Sequence, residues 1–125
     1  MKINNITSYF KANGTPTEEG IRLFAVLSKI IGIGQRWQDV AASRAASTSY
    51  QNTTGRPIQV AILARSSVGT TRTIEVSENN STWIVLGATS ISTDPRQDGV
   101  TFIVPSGWYY RLNGAVAAFT WAELR

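Results

Sequence analysis

From Gly34 onward, turn-forming residues cut the chain at intervals too short for a run of helices and suited to short strands. Ser67 to Gly69, Asn79-Asn80, Asp94-Pro95 with Asp98-Gly99, Pro105 to Gly107, and Asn113-Gly114 supply residues that reach positive φ cheaply or fix φ outright. Between them lie short runs rich in β-branched and aromatic residues. These are Ile58 to Ala64, Thr73 to Glu78, Thr82 to Leu86, Val100 to Val104 and Trp108 to Leu112. Thr73 to Glu78 alternates cleanly, whereas Ile58 to Ala64 becomes apolar, as a buried strand does. Ala115 to Thr120 is ambiguous, and Phe119 to Leu124 reads as a closing strand. This spacing predicts a mainly β chain, an antiparallel β-sandwich of jelly-roll-like type with one N-terminal α-helix.

The helix is expected over Thr15 to Ile31. Thr15 suits the N-cap, Pro16 the first helical position, and Glu18 completes a capping box. Gly32 and Gly34 stop it. Residues 1–34 therefore form an N-terminal segment with a helix, and residues 35–125 the sandwich domain. On a 3.6-residue period, Glu18, Arg22, Ala25 and Lys29 share one narrow stripe. Nearly everything else from Ile21 to Ile31 is apolar, more than one face against a sandwich can bury. Two expectations stay open. Ile3, Ile6, Tyr9 and Phe10 cover the helix, or copies of the chain pack their helices together through Leu23, Phe24, Leu27, Ile30 and Ile31. Phe24, Leu27 and Ile31 have the three-then-four spacing of a coiled-coil seam.

At 125 residues, with 42% hydrophobic and 16% charged residues, the chain fits one folded domain with a real core. Cysteine is absent, which excludes disulfides and thiolate metal sites. Histidine is absent too, so the chain lacks the commonest general base and the commonest metal ligand. No enzyme activity and no cofactor are expected. The formal charge of +4 is mild, and its 12 Lys and Arg residues are scattered rather than clustered, so no nucleic-acid partner is expected. No apolar run reaches the roughly 20 residues of a membrane helix, and neither membrane insertion nor a signal peptide is expected.

Four segments recur together in order. Gly34-Gln35, Trp37 and Asp39-Val40 come first. Tyr50, Asn52 and Thr54-Gly55-Arg56-Pro57-Ile58 form a turn leading into a strand. Val104-Pro105-Ser106-Gly107-Trp108-Tyr109-Tyr110-Arg111-Leu112 follows, and Trp121 to Arg125 closes the chain. Together they resemble a module of tail fibres and other host-contacting tail proteins of bacteriophages, over roughly Gly32 to Arg125. The resemblance implies a virion protein of the phage tail, made in the bacterial host cytoplasm and assembled as a homotrimer with other tail proteins. Its partner at the host would be surface polysaccharide or an outer-membrane protein. The alternative is a purely structural tail or capsid component, a connector or decoration protein, that touches no receptor.

Binding residues concentrate on loops held by a rigid scaffold. Arg65 to Arg72 and Ser92 to Gly99 are the candidate loops, with Arg72, Asp94 and Arg96 able to hydrogen-bond sugars or acidic groups. Asp94 and Asp98 also invite a catalytic or calcium reading, although Pro95 and Gly99 beside them are ordinary turn composition. Asp39 and Arg44 are expected to form a structural pair. Trp37, Trp83, Trp108 and Trp121 suggest a sugar-stacking platform, but each lies in or beside an expected strand and reads first as core.

Overall fold

The computed structural model describes residues 10–27, 29–65, 70–90 and 97–125. One helix, α1 (Glu18–Leu27), precedes eight strands. They are β1 (Trp37–Asp39), β2 (Tyr50–Gln51), β3 (Ile58–Arg65), β4 (Thr71–Ser77), β5 (Ile84–Ser90), β6 (Gln97–Val104), β7 (Tyr109–Asn113) and β8 (Ala118–Leu124). Two antiparallel four-stranded sheets have the orders β1-β8-β3-β6 and β2-β7-β4-β5. The pairs β1–β8, β2–β7, β3–β6 and β4–β5 are nested, so the chain is one long hairpin rolled on itself. β8 beside β3 and β7 beside β4 then close the two sheets. This is the jelly-roll order.

The core follows from period-two alternation. β3 buries Ile58, Val60, Ile62 and Ala64, and β4 turns Arg72, Ile74 and Val76 the same way. Facing residues Phe102, Val104, Tyr110, Leu112 and Trp121 complete the interior. Tyr50, Tyr110 and Phe119 pack their rings around Trp121 at 5.8 to 6.2 Å. Tyr109 and Tyr110 divide between the two faces of β7 as adjacent strand residues must, and Tyr110 is the buried one.

Several boundaries differ from the sequence expectation. The helix begins at Glu18 because Thr17, not Thr15, caps it: the Gly20 N–H donates to Thr17 Oγ1 at 3.2 Å. Thr15 instead turns toward Asn13, and its hydroxyl donates to Asn13 Oδ1 at 2.6 Å. The α-helix ends at Leu27, after which Ile30 N–H reaches back only to the Leu27 carbonyl, a tighter turn. Asp98-Gly99 lies inside β6, paired with Ala64 and Leu63, rather than in a turn. The very short β2 was not visible in the sequence, since two residues carry no period. The expected turns at Ser67 to Gly69 and Asp94-Pro95 lie outside the described residues, as do Ile3, Ile6 and Tyr9.

Candidate functional site

The jelly roll gives the sandwich two unlike ends. The first end gathers the β2–β3, β4–β5 and β6–β7 connections, the start of β1 and the end of β8. The second gathers the β1–β2, β3–β4, β5–β6 and β7–β8 connections.

At the first end, the four sequence segments around Trp37, Asn52, Gly107 and Trp121 meet. Asn52 is buried at 1% exposure. Its amide nitrogen donates to the carbonyls of Arg56 at 2.8 Å, Val104 at 3.0 Å and Pro105 at 3.1 Å. Its Oδ1 accepts from the Thr54 N–H at 3.1 Å and the Thr54 hydroxyl at 2.7 Å. Its backbone bonds to Gly107 and Trp108. One side chain thus fixes the β2–β3 turn on the β6–β7 turn. Gly55 sits in that turn at φ 78°, and Pro57 leads into β3, as the residue types predict. Gln35 joins from the other side, donating to the carbonyls of Pro57 at 2.9 Å and Leu124 at 3.2 Å. Arg56 Nη2 donates to the carbonyls of Ile30, at 2.9 Å, and Ile33, which ties the helix to this end.

Just inside lies Glu123, fully buried. Arg44 grips it with two parallel bonds, Nε to Oε1 at 2.9 Å and Nη2 to Oε2 at 3.0 Å. The Tyr110 hydroxyl donates at 2.8 Å and the Trp121 indole at 3.1 Å. Burial raises the Tyr110 pKa above its ordinary value, and the bond to Glu123 adds to this. Burial works against the Arg44 charge, but the hydrogen bond and charge of Glu123 outweigh it and raise its pKa. Arg44 also covers the Tyr50 ring at 4.5 Å. The expected Asp39–Arg44 pair is therefore corrected. Asp39 instead accepts from the Ala41 N–H at 3.0 Å, at the start of a short 3-10 turn, and leaves Arg44 to Glu123.

On the outer face of the second sheet, Arg111 Nε donates to Glu75 at 2.6 Å, while Thr73 and Asn113 donate to the same carboxylate. Trp83 lies over the Arg111 guanidinium at 3.8 Å. Burial pushes the Glu75 pKa up, but these three donors and the Arg111 charge prevail and hold it below the ordinary value.

The second end holds Arg72. It is not an exposed loop residue, as its candidate role assumed. It is the second residue of β4, faces inward with Ile74 and Val76, and is 1% exposed. Its Nε, Nη1 and Nη2 are buried without a hydrogen-bond partner. Burial lowers its pKa, and the Asp98 charge opposes that. Gly114 lies against its stem at φ 108°, where a Cβ would stand 3.4 Å from Arg72 Cγ and 2.7 Å from the Thr71 carbonyl oxygen. Arg65 and Asp98 are exposed at the same end. Asp94 and Arg96, the other two candidate binding residues, lie outside the described residues.

The proposed association residues sit on or after α1. Phe24 keeps 46% of its surface exposed, Ile30 47%, and the neighbouring Val26 59%, while Leu23, Leu27 and Ile31 are half-buried. Phe10 bridges to Pro16 and packs edge-on against Phe24 at 5.8 Å, covering part of one face. Neither sheet makes extensive contact with α1. Of the tryptophans, Trp121 is core, Trp83 and Trp108 are half-buried, and Trp37 is 51% exposed on the edge strand β1. The four form no common platform: Trp121 is inside the sandwich, and Trp83 lies over the second sheet.

Asn52 and Glu123 lie in the sequence segments singled out above, but the bonds each makes at the centre of this end were not legible there. The signal for Glu123 was its spacing of two from Trp121, which places both on one strand face. The signal for Arg72 was the same spacing from Ile74. No group of acidic residues able to hold a metal ion is found among the described residues, and no described helix is long and apolar enough to cross a membrane. No protein-family model matches this chain, and no curated protein or solved structure matches it.

Proposed function

We propose that this chain is a non-enzymatic virion protein of a tailed bacteriophage, a tail-fibre or tail-tip component that attaches the particle to the bacterial surface. In this reading α1 and its flanking segment mount the first end on the virion and join three copies, and the second end faces the host. The observation that carries it is the polarity of the molecule. An apolar helix left half in water is followed by a segment, Ile30 to Ile33, that Arg56 and Gln35 tie to one end of the sandwich, and the β3–β4, β5–β6 and β7–β8 connections fall at the opposite end. A helix so exposed wants a partner, because apolar area in water costs about 25 cal/mol per Å². The four motif segments meet around Asn52 and Glu123 and hold one structural unit. Jelly rolls also serve in capsid and lectin domains, a fold-level analogy.

A second reading, a structural tail or capsid component, is favoured by one feature. The edge strand β5 exposes Ile84, Val85 and Leu86 in succession, and Ile103 is exposed on β6, the edge strand of the other sheet. Such an edge suits protein contacts within a particle.

The test is adsorption of labelled protein to a panel of intact bacteria, with light scattering in parallel. Saturable binding to particular strains by a trimer is the expected outcome. A trimer that binds no strain moves the assignment to the structural component.

A further inference from the structure

Among the buried polar and charged side chains described, Gln35, Asn52, Glu75, Ser77 and Glu123 all have hydrogen-bond partners. Arg72 is the exception. All three of its guanidinium nitrogens are enclosed, and none is bonded. An ordinary fold does not leave this arrangement standing. Buried charges are paired or hydrogen-bonded, because desolvation of an unpaired one is far costlier than that of a neutral polar group. The nearby carboxylate, Asp98, attracts Arg72 but forms no ion pair with it, and remains exposed on β6.

We infer that Arg72 anchors an oxyanion-binding site at the second end of the sandwich, for a carboxylate or phosphate group carried by a saccharide. The guanidinium is a planar fork of five donors that matches a carboxylate or phosphate bidentately. An alkyl or hydroxyl ligand leaves most of those donors unused. Arg72 is one residue inside the start of β4, at the rim of the second end, with exposed Thr71 before it. Asp98 is exposed at the same end, and the occupant binds the guanidinium in competition with it. Gly114 holds the stem: its bare backbone lies where any side chain would strike the Thr71 carbonyl. The saccharide source rests on the host-attachment reading; the anion site itself does not.

The purified full chain is melted in a weakly coordinating buffer at constant ionic strength, set with chloride. Inorganic phosphate, glucuronate, glucose 6-phosphate and neutral glucose are titrated separately. Phosphate, glucuronate and glucose 6-phosphate are each expected to raise the melting temperature with the logarithm of concentration, and glucose is expected to leave it unchanged. In Arg72→Met the anion responses vanish, and the melting temperature without anion equals or exceeds that of the wild type, since an unpaired buried charge is gone. Arg72→Lys retains a weaker response and reports if the Met variant fails to fold. A wild type indifferent to every anion overturns the site. So does an Arg72→Met variant that melts lower than wild type without added anion, because Arg72 is then already paired. A response to inorganic phosphate alone overturns the saccharide assignment. Adsorption to cells is scored separately, so loss of adsorption with an intact anion response removes host attachment and keeps the site.

Discussion

The side-chain amide of Asn52 donates to the carbonyl of Val104, 52 residues away in the chain and 3.0 Å away in space. That bond joins the β2–β3 turn to the end of β6, and the same nitrogen serves Arg56 and Pro105. Asn52→Ala leaves these carbonyls without their donor in a buried site. At about 1–3 kcal/mol for a buried group left unsatisfied, the variant should lose at least about 2 kcal/mol. Asn52→Asp should lose more, because a carboxylate then faces carbonyl oxygens. Urea denaturation of both variants measures this. An Asp variant more stable than the Ala variant contradicts the assigned donors.

Arg44 and Glu123 form the second structural pair. Breaking a buried pair leaves a charge uncompensated and costs about 3 to 5 kcal/mol. Glu123→Leu should fall in that range, since it strands Arg44 and removes the acceptor of Tyr110 and Trp121. Arg44→Met alone should cost less, because Arg125 Nη1 still lies 3.3 Å from Glu123 Oε2 and Tyr110 and Trp121 still donate to the carboxylate. The double variant should be less damaged than the sum of the two. Additive losses in this cycle would show that Arg44 and Glu123 are energetically independent.

Much of this architecture could be read from residue order. Period-two alternation located β3, β4 and the buried face of β7, and Gly55 with Pro57 announced the turn before β3. The limits were physical. Strand pairing is non-local, so nothing near Asn52 in sequence identifies Val104 as its partner. A two-residue strand such as β2 has too few residues to show a period. Gly99 suggested a turn because its local preference was visible, whereas its pairing with Leu63 was not. Arg72 follows the turn signal at Ser67 to Gly69 closely, which hides its period-two phase with Ile74. The helix was legible from its start and stop signals, although Thr17 rather than Thr15 caps it, and its apolar excess remains on its surface.

The Glu75 carboxyl has a folded pKa below its ordinary value of 4.5. Burial acts against this shift, and donation from Thr73, Arg111 and Asn113 produces it. A carboxyl with a depressed folded pKa stabilises the fold above its unfolded pKa. That stabilisation is lost as pH falls through the folded value. Glu75→Gln should therefore be less stable than wild type at neutral pH, and the gap should narrow below about pH 4.5. Melting curves across that range check the sign. A gap that widens in acid contradicts the shift.

Association through α1 predicts a position-specific effect. Leu27→Asp places a charge in the proposed seam with Phe24 and Ile31, where burial of an unpaired charge is costly. Val26, already 59% exposed and off that seam, is the control. Light scattering should give a trimeric mass for wild type and Val26→Asp, and a monomeric mass for Leu27→Asp. A monomeric wild type, or an unchanged Leu27→Asp mass, removes the helix from assembly.

Two glycines with positive φ should respond differently to substitution, and the contrast isolates backbone strain from steric exclusion. Gly55 has φ 78° with open space around a Cβ, so Gly55→Ala incurs only the left-handed penalty, about 1–2 kcal/mol. Asn tolerates that region, and Gly55→Asn should recover part of the loss. Gly114 has φ 108°, and its added Cβ would lie 2.7 Å from the Thr71 carbonyl oxygen, a backbone atom that cannot swing aside. Gly114→Ala should therefore cost more than Gly55→Ala, and Gly114→Asn should recover nothing. The β7–β8 turn must then shift against β4, which moves the stem of Arg72. Gly114→Ala should thus also weaken the response to phosphate, whereas Gly55→Ala, at the other end of the sandwich, should leave it intact. Equal losses for the two Ala variants, or an anion response weakened by Gly55→Ala alone, would separate Gly114 from the placement of Arg72.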